Sequence, residues 1–159
     1  MKHKLLLLTA FFVFLFCSTL TAKTFVVSRN GAEVTATLDG KTWTAKTNID
    51  TKDPTLVLVA FFASYFSQTE EWKDFVAEFV GDKENSILCM EEAYENLYGQ
   101  TDSISVTIDF AKFKDNGGGF AFFTVKIAYT YKGESGEGED QVTLAKDEKG
   151  DRCIVELPR

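Results

Sequence analysis

Apolar and polar residues alternate over residues 24–47, the pattern of strands that bury one face. The pairs Asn30-Gly31 and Asp39-Gly40 separate the alternating runs, and both favour the positive φ angles of type I′ hairpin turns. We therefore expect an N-terminal three-stranded β-meander. Its alternating apolar positions are Ala32, Val34, Ala36, Leu38, Trp43 and Ala45.

Residues 54–98 predict a helical region, although the apolar run 55–66 fits either a buried helix or a central strand. Pro54 favours one helix through the whole run. A capping box of Ser67 and Glu70 would instead start a new helix and leave 55–63 as a strand. Spaced apolar residues then predict a helix that ends at Gly81, and a further helix is expected over 86–98. The spaced residues are Trp72, Phe75, Val76, Phe79 and Val80.

Residues 103–157 return to strand patterns and predict an antiparallel sheet. Glycine-rich turns are expected at 116–119 and 149–151. The acidic segment Glu134–Asp140 is interpreted as a solvated loop, which is favoured over a calcium site because the EF-hand pattern is absent. Any pairing between copies is expected at the exposed edge of the long strand over 120–131.

Residues 1–22 resemble a signal peptide, with Lys2 and Lys4 before the apolar stretch Leu5–Phe16. Cleavage is expected after Ala22, which predicts an exported chain, periplasmic or extracellular, with one α+β domain over 23–159. An uncleaved anchor and a lipid anchor on Cys17 are the alternatives. The apolar stretches are short for a membrane-spanning helix of about 20 residues, so no stable span is expected after cleavage.

The net charge and the histidine content argue against several classes of partner and active site. The chain has 17 basic and 24 acidic residues, and losing two lysines on cleavage leaves 15 against 24, a net charge of −9. This acidity argues against a nucleic-acid partner. The only histidine is His3, so the mature chain has no Ser-His-Asp triad and no histidine zinc site. No catalytic residue, metal or cofactor is predicted.

Two sets of residues are candidates for a structural or binding role. Cys89 and Cys153 remain after cleavage, and export favours a disulfide between them, with two buried thiols as the alternative. Several aromatic residues could line an apolar ligand cavity, although such residues usually pack in a core. The cavity candidates are Trp72, Phe75, Phe110 and Phe123.

The pattern of residues 103–157 resembles the closing sheet of small secreted bacterial proteins in the nuclear-transport-factor-2-like superfamily. Leu144, Lys146, Gly150 and Ile154 stand at matching places, whereas Arg152 replaces the usual tryptophan and the meander over 24–47 is additional. The resemblance implies a cystatin-like, cone-shaped curved sheet wrapped on helices, an apolar cavity, and dimers that pair through the sheet. The superfamily's enzymes commonly use an Asp-His pair, which the mature chain lacks.

A second resemblance is to thioredoxin-like proteins, with 55–66 as the first strand of a βαβα core. The CxxC pair and the cis-proline of that family are absent here. Together these patterns predict an exported, non-enzymatic binding or interaction domain of unidentified partner. The alternatives are a cavity enzyme that uses carboxylate or tyrosine chemistry, and an assembly protein that pairs through a sheet edge.

Overall fold

The computed structural model describes residues 24–43, 49–77 and 82–158, so the predicted signal peptide lies outside the described residues. Within them the chain is of the α+β class: eight strands form one open antiparallel sheet, with helices packed on it. The strands are β1 (Thr24–Asn30), β2 (Glu33–Leu38), β3 (Lys41–Thr42), β4 (Ser103–Asp109), β5 (Lys114–Asp115), β6 (Phe120–Tyr131), β7 (Glu134–Lys146) and β8 (Arg152–Glu156). The α-helices are α1 (Pro54–Ser67) and α2 (Lys83–Asn96), and short 3-10 helices span Glu70–Phe75, Tyr98–Gln100 and Phe110–Lys112.

The strand order is β3-β2-β1-β4-β6-β7-β8, with β5 paired to the first part of β6. β1 pairs with β4 along its whole length, so the N-terminal meander and the C-terminal strands form one sheet. β6 pairs with β4 and β5 on one side and with β7 on the other. The expectation that the 120–131 strand has an exposed edge is therefore wrong.

The two predicted hairpin turns have different outcomes. Asp39 and Gly40 both have positive φ, 51° and 73°, and connect β2 to β3 as a two-residue turn, so that prediction is confirmed. In the first hairpin Asn30 pairs with Glu33, which leaves Gly31 and Ala32 as the turn. Only Gly31 has a positive φ, 58°, which is the type II′ pattern, so the predicted turn was wrong by one residue.

The acidic segment over 134–140 is a strand and not a loop. Lys132 and Gly133, with φ of 51° and 82°, make the two-residue turn between β6 and β7. β7 then pairs with β6 from Glu134 onward, residue by residue. The segment lacks apolar alternation because its glycine and acidic positions are largely exposed, so hydrophobic periodicity could not identify it.

The run 55–66 forms a single helix, which rules out the thioredoxin-like alternative and its strand. The carboxylate of Asp53 caps α1 by accepting the Thr55 N–H at 2.8 Å, and Pro54 is the first helical residue. Ser67 makes no capping box, because its hydroxyl donates to the Ala63 carbonyl at 2.8 Å. The next segment is the 3-10 helix Glu70–Phe75, and Phe79, Val80 and Gly81 lie outside the described residues.

The core lies between α1 and the inner face of the sheet. An aromatic cluster surrounds Tyr65, whose hydroxyl donates to the Met90 carbonyl at 2.6 Å and thereby ties α1 to α2. α1 contacts β1 and β2 and also β8, near the opposite end of the strand order. No helix in the described ranges is long and apolar enough to cross a membrane.

Candidate functional site

An open apolar groove of about 430 Å³ lies where the helices stop covering the sheet. One wall is the end of α2 and the 3-10 helix after it, and the other is the C-terminal half of β6. Pro158, after the last strand, closes one side. The lining residues are Asn96, Leu97, Tyr98, Gln100, Thr101, Ile104, Ile127, Tyr129, Tyr131 and Pro158.

The groove is a continuation of the core face of β6. Side chains at alternate positions of a strand share one face. Along that face Phe123 and Val125 are fully buried, whereas Tyr129 is 43% exposed and Tyr131 is 38% exposed. The same apolar face therefore extends past the end of the core and meets solvent.

Leu97 exposes a large apolar side chain on the opposite wall. It is 50% exposed and directly follows α2. Five large hydrophobic side chains are exposed among the described residues, and Leu97, Tyr129 and Tyr131 are three of them. Apolar surface concentrated in one groove is typical of a binding site.

Tyr98 forms the buried floor of the groove. Its hydroxyl donates to the carbonyl of Pro158 at 2.8 Å, which fixes the C-terminal segment against the groove. Burial raises the pKa of Tyr98, and the negative charge of Asp140 raises it further. The hydroxyl is therefore a neutral, already occupied donor and not a nucleophile at ordinary pH.

Arg29 holds the backbone of this wall in place. Its side chain is buried, and its guanidinium donates to the carbonyl of Tyr98, to the Thr101 carbonyl at 3.0 Å and to the Thr101 hydroxyl at 2.8 Å. A second nitrogen donates to the Gly31 carbonyl at 2.9 Å. The charge thus faces the carbonyl end of the 3-10 helix Tyr98–Gln100. The alternation Phe25, Val27, Arg29 puts this arginine on the core face and was a sequence signal for it.

Two glycines of β7 shape the sheet beside the groove. Gly136 lies opposite Tyr129, and a Cβ on it would approach the Tyr129 ring to 2.5 Å, so the ring lies over a position that needs glycine. Gly138 lies opposite Ile127, and a Cβ there would have no heavy atom within 4 Å. The surface next to Ile127 therefore has unfilled space.

The two predicted cysteines do not form a disulfide in the structure: Cys89 and Cys153 are both free. Cys89 lies on the exposed part of α2, and Cys153 lies in β8, paired with Ala145. Burial raises the pKa of the Cys153 thiol, and Asp147 adds to that effect. Export favoured a bridge from composition alone, and composition carries no information on how far apart the fold places the two side chains.

None of the four predicted cavity residues lines the groove. Trp72 is buried in the core, where it packs edge-on against Phe61 and Tyr65. Phe123 is fully buried and contacts the partly buried Phe110. Phe75 is also partly buried and packs against the core.

Arg152, which stands where the resemblance expects tryptophan, is a buried structural residue. Its guanidinium donates to the Asp115 carboxylate at 2.6 Å and to the Gly119 carbonyl at 2.9 Å. The Gly117 backbone N–H, two residues further along the turn, also donates to the Asp115 carboxylate. This hydrogen bond and the contact with Arg152 lower the pKa of Asp115. Arg152 therefore fixes the glycine-rich turn between β5 and β6, far along the strand from the groove.

The groove offers little for catalysis. Its lining contains no carboxylate and no amine, and Tyr98 already donates to Pro158. Within the described ranges no group of three or more His, Cys, Asp and Glu could hold a metal ion. Of the acids of β7, Glu137 and Glu139 share the outer face and pair with lysines, whereas Glu134 and Asp140 lie on the inner face.

Comparisons with known proteins leave the site to be interpreted from its geometry. Family models, curated proteins and solved structures contain no match to this chain.

Proposed function

We propose that this chain is an exported, non-catalytic binding domain whose groove receives an apolar side chain of a partner protein. The observation that carries the proposal is the groove itself, where the core face of β6 continues into solvent through Tyr129 and Tyr131. Covering these rings and Leu97 would remove apolar surface from water, which favours association.

The polar rim supports a protein partner. Asn96 and Gln100 lie at the groove beside the apolar wall, and their side-chain amides can both donate and accept hydrogen bonds. A hydrophobic centre with a polar rim is the usual arrangement of a protein interface. The absence of acids and amines from the lining speaks for binding over the alternative of a cavity enzyme.

We also propose that the fold is a cone-like, cystatin-like sheet of the kind that the resemblance implies. Five strand steps separate β2 from β8, about 24 Å in a flat sheet. Nevertheless α1, a cylinder about 10–12 Å wide, contacts both strands. A sheet that curves around α1 accounts for this contact. A crystal structure with a flat sheet and β8 away from α1 would contradict the proposal.

Nuclear magnetic resonance titration with small apolar probes tests the groove. Indole and cyclohexanol stand in for aromatic and aliphatic side chains, and amide shifts are followed in the purified protein. We expect the largest shifts at Leu97, Ile104, Ile127 and Tyr129. Leu97→Asn should weaken binding about fivefold, since it removes apolar area that the probe would cover.

Leu88→Asn is the matched control, because Leu88 is 55% exposed on α2, the helix that Leu97 follows, and does not line the groove. It should leave the probe affinity unchanged. Shifts spread evenly over the surface, or equal loss in the two variants, would contradict the proposed function.

A further inference from the structure

A long strand edge beside the groove is open in the part of the chain that the structure describes. β8 pairs with β7 only from Thr143 to Lys146, so residues 134–142 have β6 on one side and no described strand on the other. The far edge of β8 is itself covered, because Val76 bridges to Ile154 and the Ala77 N–H donates to the Ile154 carbonyl at 2.9 Å. At this end of the sheet the open edge is therefore confined to β7.

The direction of the backbone groups follows from the pairing. The Lys146 N–H donates to the Gly119 carbonyl at 2.9 Å, so even-numbered residues of β7 point their backbone groups towards β6. Ser135, Glu137 and Glu139 then point their N–H and C=O groups outward. This row of outward backbone groups ends at Gln141, because the Gln141 N–H already donates to the Asp140 carboxylate at 2.7 Å.

The two faces beside this edge differ in chemistry. On the outer face lie Glu137 and Glu139, whose ion pairs with Lys126 at 3.2 Å and Lys112 at 3.5 Å are exposed and therefore weak. On the inner face Gly136 and Gly138 lie between Glu134 and Asp140, with the open space next to Ile127 above Gly138. The outer face thus presents Glu137 and Glu139, and the inner face presents a shallow apolar slot between two further acids.

These charges disfavour a second copy of this chain on the edge. In an antiparallel pairing of two β7 edges, residues that share a face meet. In the registers centred on Glu137 or Gly138, Glu137 lies opposite Glu137 or opposite Glu139. Like charges directly opposite each other destabilise a strand pair.

We propose that the edge of β7 binds an extended segment of a partner protein as an added strand, and that this segment alternates basic residues with bulky apolar ones. The basic side chains face Glu137 and Glu139. The apolar side chains lie over Gly138 and reach Ile127 at the side of the groove. The proposal rests on the proposed function, because it names the class of partner whose apolar side chains approach the groove.

The probe is the fluorescently labelled heptapeptide Ac-KVKLKVK-NH2, and its affinity for the purified protein is measured by fluorescence anisotropy. We expect saturable binding that weakens as salt is raised, because the charge pairs are exposed. The peptide Ac-EVELEVE-NH2 keeps the apolar pattern and reverses the charge, and it should not bind. Equal binding of the two peptides would overturn the charge assignment.

Two variants isolate the backbone ladder and the slot. Glu137→Pro removes an outward N–H, which an edge strand tolerates, and it should weaken binding about tenfold relative to Glu137→Gln, which loses the same charge and keeps the donor. Gly138→Val occupies the slot, where its Cβ meets no heavy atom within 4 Å, and should weaken binding by a similar factor. If Glu137→Pro binds as well as Glu137→Gln, strand addition is wrong.

Leu97→Asn separates failure of this inference from failure of the proposed function. Loss of peptide binding in Leu97→Asn but not in Glu137→Pro would support the groove as a binding site and overturn strand addition at the β7 edge. Loss in Glu137→Pro but not in Leu97→Asn would retain the edge and overturn the groove as part of the site. A dimer that forms without peptide and is lost in Glu137→Pro would show that a second copy is the occupant, against the proposal.

Discussion

The two ends of β6, within the β6–β7 hairpin, have the same alternating pattern and opposite surroundings. At the first end Phe123 and Val125 face Val142 and Asp140 across the pair, and α1 and the core cover the apolar side chains. At the second end Ile127 and Tyr129 face Gly138 and Gly136, and the tyrosine remains 43% exposed. The difference lies in the cover and not in the alternation of β6.

This comparison shows where a core ends and a surface for binding begins. At the covered end Phe123 and Val125 lie across from the side chains of Val142 and Asp140, whereas at the second end glycines across from large side chains leave the surface shallow. α2 ends at Asn96, and Arg29 anchors the turn that follows, so the helical layer stops beside Ile127. Beyond Ile127 the apolar face of β6 is therefore either exposed to water or covered by a binding partner.

The largest test of the comparison is alanine substitution at matched positions of β6. Phe123→Ala should lower the free energy of unfolding by about 3–5 kcal/mol, because Phe123 is fully buried against Phe110 and Phe113. Tyr129→Ala should cost about 1 kcal/mol or less, because much of its ring already meets water. Urea unfolding, followed by circular dichroism, measures both values. Equal losses would mean that the two ends are covered alike.

Part of the comparison could be predicted from the sequence. Period-two alternation over 120–131 puts Phe123 and Tyr129 on one face of one strand, and the helix through 55–66 was one of two stated interpretations. Local chemistry decided that case, since Asp53 and Pro54 start α1 and the capping box does not form.

The exposed end of β6 could not be predicted from the sequence. It depends on where α2 ends relative to β6 in the folded chain. No local pattern in β6 says that α2 ends beside Ile127. The β7 segment was missed because its acids and glycines carry no apolar period, although Lys132-Gly133 makes the turn that pairs it with β6. The cavity candidates were chosen by aromatic character, which selects the core, whereas the groove is made by side chains at its margin.

A second test compares the two buried tyrosines through the pH dependence of stability. Burial raises the pKa of Tyr65, in the core next to Tyr98, and of Tyr98, at the floor of the groove, above the ordinary value of 10.0. Above that pH the folded state keeps protons that the unfolded state releases. The stabilisation is therefore complete below about pH 10 and is lost as the pH rises, by up to about 1.4 kcal/mol per pH unit for each tyrosine.

Tyr65→Phe and Tyr98→Phe, unfolded in urea between pH 8 and 11.5, separate the two contributions. In each variant the free energy of unfolding should fall less steeply above pH 10 than in the unsubstituted protein. The slope should differ by the contribution of one tyrosine, up to about 1.4 kcal/mol per pH unit. An unchanged slope in Tyr98→Phe alone would mean that water reaches the groove floor, and the boundary between the two ends would then lie below Tyr98.

The smallest and sharpest test exchanges the two glycines of the uncovered end for alanine. Gly136→Ala should destabilise by about 0.5–1 kcal/mol, since its Cβ displaces the Tyr129 ring. Gly138→Ala should stabilise by about 0.5–1 kcal/mol, because it meets no heavy atom within 4 Å and the extended backbone accepts a side chain. Urea midpoints of the two variants measure this opposite sign, with near-ultraviolet circular dichroism to report the tyrosine. Shifts of the same sign would mean that the space over Gly138 is already filled, and a β7 edge without that slot would have no place for a partner's apolar side chain.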